Sequence, residues 1–137
     1  MIEIDNLEKK IEDDGFIVSN IKGISMLPFL KQNEDNVVIT KIDKPIEKYD
    51  IVLYKSKGNY VLHRVINING DDLIIKGDNT ISSEIVNIKQ VLGILKAKYN
   101  NKGYFEINSD INKKYYDLSN KHLFIKKIRN YFLRKYE

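Results

Sequence analysis

Cysteine is absent from this 137-residue chain, and histidine occurs only twice. Without cysteine there is no disulfide framework, no thiolate metal site and no cysteine nucleophile. Long apolar runs are also missing, since the longest span a handful of residues, as in 91–95, whereas a membrane-spanning helix needs about 20. The N-terminus has no apolar signal-peptide segment either. We therefore expect a cytoplasmic protein.

The charge is unevenly distributed, although the net charge is only +4. Residues 1–14 contain six acidic residues and two lysines, and residues 121–137 contain six basic residues and one acid. The 42% hydrophobic and 31% charged fractions are ordinary for a globular protein. The length predicts one domain that covers residues 1–137.

Short runs of β-branched and aromatic residues, separated by turn signals, dominate the chain. They lie at 16–18, 36–41, 51–54, 60–68, 73–76, 91–99 and 104–107. This spacing predicts a mainly β fold, an antiparallel sandwich or open barrel over residues 16–107. Before it, Ile4, Leu7 and Ile11 recur at helical spacing, and Gly15 follows as a stop. We therefore predict a short helix over about residues 3–14.

A second amphipathic helix is predicted over residues 117–136, with Ser119 as its cap. One face carries Phe124, Ile128, Tyr131 and Lys135, with Ile125 and Phe132 beside it, and the opposite face is strongly basic. Two roles are open for this apolar face. It packs on the β domain, with the charges solvated, or it lies on an anionic membrane.

Ser25 stands in a segment, residues 21–28, that has the features of a reactive serine. Gly23 permits unusual backbone dihedrals, and Pro28 removes a backbone donor and turns the chain away from the sheet. Such a strand exit can expose a hydroxyl beside unpaired N–H groups, which an oxyanion hole requires. The alternative is a surface serine in a turn.

A nucleophilic serine needs a base, and His63 is the better of the two histidines. Strand alternation places it on one face with Val61 and Val65, where it is either a satisfied core histidine or a base in a water-poor site. His122 lies among lysines and is expected to be solvated. The turn at residues 76–80 and the nearby Glu84 supply acids that could orient His63.

In their order along the chain these elements resemble the type I signal peptidase superfamily of serine peptidases. The matching segments are Ser25-Met26-Leu27-Pro28, a strand over 49–54, His63-Arg64-Val65-Ile66 and Lys76-Gly77-Asp78-Asn79. The likeness is to the branch with a histidine base, as in archaeal, endoplasmic-reticulum and sporulation-type signal peptidases; bacterial housekeeping enzymes and self-cleaving repressors use lysine. It covers about residues 16–97 and implies a β-rich fold around a hydrophobic cleft.

The resemblance implies that Ser25 is the nucleophile, that His63 is its general base and that the Ser25 N–H helps to bind the oxyanion. Asp78 and Glu84 both remain candidates for the acid of a triad. Gly23 departs from the pattern, because many relatives have there a hydroxyl that completes the oxyanion hole. An extended peptide would lie between the strand before Ser25 and the strand of His63, in contact with Ile21, Lys22, Gly23, Ile24, Met26, Pro28, Val61 and Leu62.

We therefore predict a serine endopeptidase that cleaves a leader or signal-like peptide without cofactor or metal. Because the membrane anchor of signal peptidases is missing, the chain is more similar to the short peptidases of peptide-modification pathways. The alternative is a catalytically weak or inactive peptide-binding module of the same fold. Nucleic-acid binding is not expected, since no helix-turn-helix precedes the β segments.

Overall fold

A computed structural model describes residues 6–135 as a mainly β protein with 39% strand and 28% helix, which confirms the predicted fold class. The elements are α1 (Leu7–Asp14), β1 (Phe16–Asn20), β2 (Asn36–Thr40), β3 (Ile51–Ser56), β4 (Asn59–Asn69), β5 (Asp72–Lys76), β6 (Glu84–Asn87), β7 (Val91–Asn100), β8 (Gly103–Glu106) and α2 (Ser109–Lys135). A 3-10 turn at Ile88–Gln90 precedes β7. Strand β6 was not predicted, because four residues carry little periodicity.

The strands form one antiparallel sheet in the order β1-β2-β7-β3-β4-β5-β6, with β8 paired to β7. Over residues 6–135 the sheet is not a closed barrel. The central strand β3 is buried on both faces: Ile51 and Leu53 join one core cluster, and Val52 and Tyr54 join the other. Alternation along β3 explains this, because successive side chains point to opposite faces of a sheet.

The first helix begins at Leu7, later than predicted, because Asn6 has the left-handed backbone conformation with φ 55°. Residues 3–5 of the prediction lie outside the described residues. Leu7 and Ile11 are buried, as an apolar helix face requires. Gly15 ends the helix at φ 80°, and its N–H donates to the carbonyl of Ile11 at 2.9 Å, which confirms the predicted stop.

The second helix begins at Ser109, so the predicted start at residue 117 is wrong. Asn108 is its cap, since its side-chain oxygen accepts from the backbone N–H of Ile111 at 2.9 Å. Ser119 is therefore not a cap. It is fully buried in mid-helix, and its hydroxyl donates to the carbonyl of Tyr116 at 2.7 Å. Residue 136, the predicted end, lies outside the described residues.

The two halves of α2 differ in burial. In the first half, Tyr115 packs against Phe29 of the core with ring centroids 4.3 Å apart. In the second half, Phe124, Ile125, Ile128 and Tyr131 are 65, 64, 41 and 64% exposed. Of the two roles open for this face, packing on the β domain is contradicted at Phe124, Ile128 and Tyr131, because these side chains are exposed. The side chains of Phe132 and Lys135 lie outside the described part. Between residues 6 and 135 no helix is long and apolar enough to cross a membrane.

Candidate active site

The turn that carries Ser25 is held from both sides. Gly23 has φ 82°, the unusual conformation that its sequence position predicts, and its N–H donates to the side-chain oxygen of Gln32 at 3.0 Å. On the other side, the buried Met26 joins the core, and its carbonyl accepts from the N–H of Leu30 at 2.9 Å. Ser25 itself is half-buried, so its hydroxyl lies at the surface of an otherwise anchored turn.

The structure brings Ser25 and His63 together, although 38 positions separate them in the chain. The Oγ of Ser25 lies 3.0 Å from Nε2 of His63. This is hydrogen-bond distance, which a nucleophile and its general base require. His63 lies on β4, on the sheet face that also carries Val61 and Val65, as strand alternation predicts.

The surroundings of His63 keep its ring neutral. Burial disfavours the imidazolium and lowers the pKa of His63 from 6.5 to about 4, against the opposing effect of the Glu84 charge. A neutral imidazole is the form that accepts a proton from a serine hydroxyl. His63 is therefore ready to act as a base at neutral pH.

Tyr54 connects His63 to Glu84. Its hydroxyl donates to the Glu84 carboxylate in a short hydrogen bond, and its oxygen lies 3.3 Å from Nδ1 of His63. Because that hydroxyl proton goes to Glu84, we assign the His63 ring proton to Nδ1, from which it donates to the tyrosine oxygen. Nε2 is then the acceptor that faces Ser25. Glu84 is thus connected to His63 through this tyrosine rather than by direct contact.

Asp78 has a different role from the one proposed for it. Both of its carboxylate oxygens accept from Arg64, from Nε at 2.7 Å and from a terminal nitrogen at 2.8 Å. The pair is buried, with Arg64 at 0% and Asp78 at 2% exposure. Asp78 as the orienting acid of a triad is thus a wrong prediction, because Arg64 occupies both of its oxygens.

The loop after β5 packs directly against the Ser25 turn. The backbone N–H of Asn79 donates to the carbonyl of Ser25 at 2.8 Å, and its side-chain amide donates to the carbonyl of Ile24 at 3.1 Å. A Cβ at Gly77 would lie 2.7 Å from the Ser25 carbonyl oxygen and 3.1 Å from Nε2 of His63. Only glycine therefore allows this loop to approach both members of the dyad.

One backbone N–H beside Ser25 Oγ is available as a donor. Within residues 6–135, no acceptor engages the backbone N–H of Ser25. Gly23 has no side chain, and its own N–H is bound to Gln32. Stabilisation of a tetrahedral intermediate would therefore rest on the Ser25 N–H, and loss of a second donor of this kind costs roughly 10²–10³ in turnover.

The residues predicted to contact substrate divide into two groups. Ile21, Met26 and Leu62 are 6, 3 and 2% exposed and belong to the core, so a substrate-contacting role for their side chains is wrong. These side chains fill the core because they point to the interior face of their segments. The exposed or half-buried members are Lys22, Gly23, Ile24, Pro28 and Val61.

Tyr54 was overlooked in the sequence, although a signal for it is present. The Lys57-Gly58 turn, with φ values of 51° and 81°, joins β3 directly to β4. A two-residue hairpin fixes strand register, and here it pairs Tyr54 with Val61 and Val52 with His63. Tyr54 is therefore the diagonal neighbour of His63 on the same face.

No family model matches the chain, and no curated protein matches it.

Proposed function

We propose that the protein is a serine endopeptidase with Ser25 as nucleophile and His63 as general base. The observation that carries the proposal is the 3.0 Å contact between Ser25 Oγ and His63 Nε2, with the base half-buried and neutral. Oγ attacks a peptide carbonyl as Nε2 takes its proton. The protonated ring then donates that proton to the leaving amine, and water hydrolyses the acyl-enzyme by the reverse steps.

The substrate of this proposal is an extended peptide. The resemblance to histidine-dependent signal peptidases supports it, together with the exposed backbone turn around Ile24 beside the dyad. Small side chains at the scissile bond fit the shallow surroundings that the resemblance implies. A leader or signal-like segment of another protein can be extended and can carry small side chains at the scissile bond.

The experiment that tests this function is active-site labelling. A fluorophosphonate or a lipopeptide-type acylating probe should modify the folded protein at one position, identified as Ser25 by peptide mass spectrometry. Heat-denatured protein and the His63→Ala variant should not react, because labelling needs the base. Ser83→Ala, which removes an exposed serine hydroxyl outside the dyad, is the matched control and should label as the native protein does.

The second candidate is a peptide-binding module without turnover. The observation that favours it is the glycine at position 23, where no side-chain donor joins the Ser25 N–H. Tight binding of a peptide without labelling at Ser25 would support the module and exclude the peptidase. Labelling with slow turnover would support the peptidase.

The pH dependence of labelling follows from the pKa of His63. Only the neutral imidazole accepts the Ser25 proton, and burial lowers the pKa of His63 to about 4. The labelling rate should therefore be constant at neutral pH and fall to half at about pH 4. Stopped labelling reactions, with circular dichroism to show that the fold persists, measure this profile. A midpoint at the ordinary value of 6.5 would contradict the lowered pKa of His63, and a rate that does not depend on pH would contradict its role as the base.

Substitution of Tyr54 by Phe tests the connection from Glu84 to the base. The ring would still fill its place in the core, but Nδ1 of His63 would lose its partner. We expect kcat to fall by about 10–100-fold with little change in KM, as when a group that orients a histidine is removed. Unchanged kcat would show that Tyr54 has only a packing role. Tyr60→Phe, which alters a half-buried tyrosine whose hydroxyl donates to Glu8 and not to Glu84, is the control.

A further inference from the structure

A groove lies between the segment after Ser25 and the second half of α2. It has a volume of about 410 Å³, and its walls are Leu27 and Pro28 on one side and His122, Ile125, Lys126 and Arg129 on the other. Asn79 also lines it, the residue whose N–H holds the Ser25 carbonyl at 2.8 Å. The groove therefore begins within a residue or two of the proposed nucleophile.

The groove is lined by apolar and cationic side chains. Leu27, Pro28 and Ile125 supply apolar surface, and Ile125 is 64% exposed although it borders a cavity. Lys31, Lys126 and Arg129 surround them, and no lining residue is acidic. An apolar side chain with a carboxylate beside it matches this distribution.

We propose that this groove is a substrate subsite that selects peptides with an apolar residue next to acidic residues, close to the scissile bond. The selected residues lie near the cleaved bond, because Asn79 lines the groove and also binds the Ser25 carbonyl. The proposal rests on the proposed peptidase function. It adds a preference for acidic substrate segments that the dyad alone does not supply.

The test uses paired quenched peptides that share an alanine at the scissile bond and an apolar residue beyond it, followed by Asp-Glu in one and Asn-Gln in the other. At low ionic strength we expect kcat/KM to be about 5–10-fold higher for the acidic peptide, since each exposed charge pair contributes modestly. High salt should reduce this ratio toward one, because it screens such pairs.

Two double variants test whether Lys126 and Arg129 cause the preference for the acidic peptide. In Lys126→Gln/Arg129→Gln the ratio should fall close to one, and in the control Lys57→Gln/Lys89→Gln, which removes two lysines that do not line the groove, it should persist. Equal kcat/KM values for the two peptides, or a ratio unaffected by Lys126→Gln/Arg129→Gln, would overturn the subsite. Fluorescence anisotropy of labelled peptides bound to the Ser25→Ala protein separates the subsite hypothesis from the peptidase hypothesis. If the acidic peptide binds selectively but the native protein does not cleave it, the subsite is supported and the peptidase function is rejected.

The opposite side of α2 carries a separate feature. Phe124, Ile128 and Tyr131 follow one another at helical spacing, and at roughly 100° per residue they lie on the far side from the buried Ser119. Phe124, Ile128 and Tyr131, which form this outward stripe, are 65, 41 and 64% exposed. Residues 118–135 contain six basic residues and no acid. An apolar stripe on a cationic helix fits an anionic lipid surface.

We infer that the outward stripe docks the protein on anionic membranes. The protein should co-sediment with vesicles of phosphatidylglycerol and phosphatidylcholine but not with phosphatidylcholine alone, since each cation near such a surface raises affinity roughly fivefold. Phe124→Ser/Ile128→Ser and Lys121→Gln/Lys127→Gln should both weaken binding, and Lys57→Gln/Lys89→Gln should not. Equal sedimentation with both vesicle types, or dimerisation through the stripe without vesicle binding, would overturn this inference.

Discussion

Replacement of Ser25 by Ala should reduce peptide cleavage by at least about 10⁴-fold, because the acyl-enzyme route then has no attacking atom. The turn should remain folded, since it is held by Gly23, Met26 and Asn79 rather than by the serine hydroxyl. A quenched peptide with alanine at the scissile bond measures the rate. Circular dichroism and thermal unfolding establish that the fold is unchanged.

His63 and Ser25 should behave as one unit in this assay. His63→Ala should cost about as much as Ser25→Ala, and the double variant should lose little more, because either change alone disables the same step. Ser83→Ala should keep full activity. Cleavage by Ser25→Ala at the native rate would refute the peptidase assignment, whatever the geometry of the dyad.

Replacement of Asp78 by Ala should destabilise the fold by about 3–5 kcal/mol, since it leaves Arg64 buried with an uncompensated charge. The Arg64 guanidinium cannot easily move out to solvent, because other groups also bind it. One terminal nitrogen donates to the carbonyl of Tyr49 at 2.9 Å, and to the carbonyl and side-chain oxygen of Asn112 at 3.1 and 3.0 Å. Arg64 thus joins β4, the loop before β3, the loop after β5 and α2.

Urea unfolding measures this effect, with Asp43→Ala as the control. Asp43 is exposed, and its removal should change the free energy of unfolding by no more than about 0.5 kcal/mol. If Asp78→Ala does not fold, Asp78→Asn gives the same test, because it retains one acceptor and should lose less stability than Ala but more than the control. A loss below about 1 kcal/mol for both Asp78 variants would contradict the role given to the ion pair.

Much of the fold follows from local sequence patterns. Alternating apolar residues and the turns between them predicted seven of the eight strands, because a half-buried strand must alternate and a tight turn requires particular residues. The start of α2 could not be read in this way. Residues 109–116 contain few apolar residues, and they are helical because Asn108 caps them and Tyr115 and Asn112 bind the core.

The dyad could be proposed from the sequence because histidine occurs only twice and because the segments around Ser25 and His63 resemble, in their order, those of a serine peptidase family. The roles of the two acids could not be predicted, because Asp78 and Glu84 are equally suitable by residue type and by position in the chain. Their partners decide between them, and those partners come from other strands. Arg64 takes Asp78 into the interior, and Tyr54 links Glu84 to the base.

The amino-acid sequence alone determined the β pattern, the glycine-dependent turn before Ser25 and the presence of only two histidines. These are local properties, set by backbone dihedrals and side-chain periodicity. Only the tertiary structure decided which carboxylate faces the histidine, which side chains fill the core and which face of α2 is exposed. Such outcomes depend on contacts between residues far apart in the chain. A buried polar group has no water to bind, so its role is set by the protein group that forms a hydrogen bond with it.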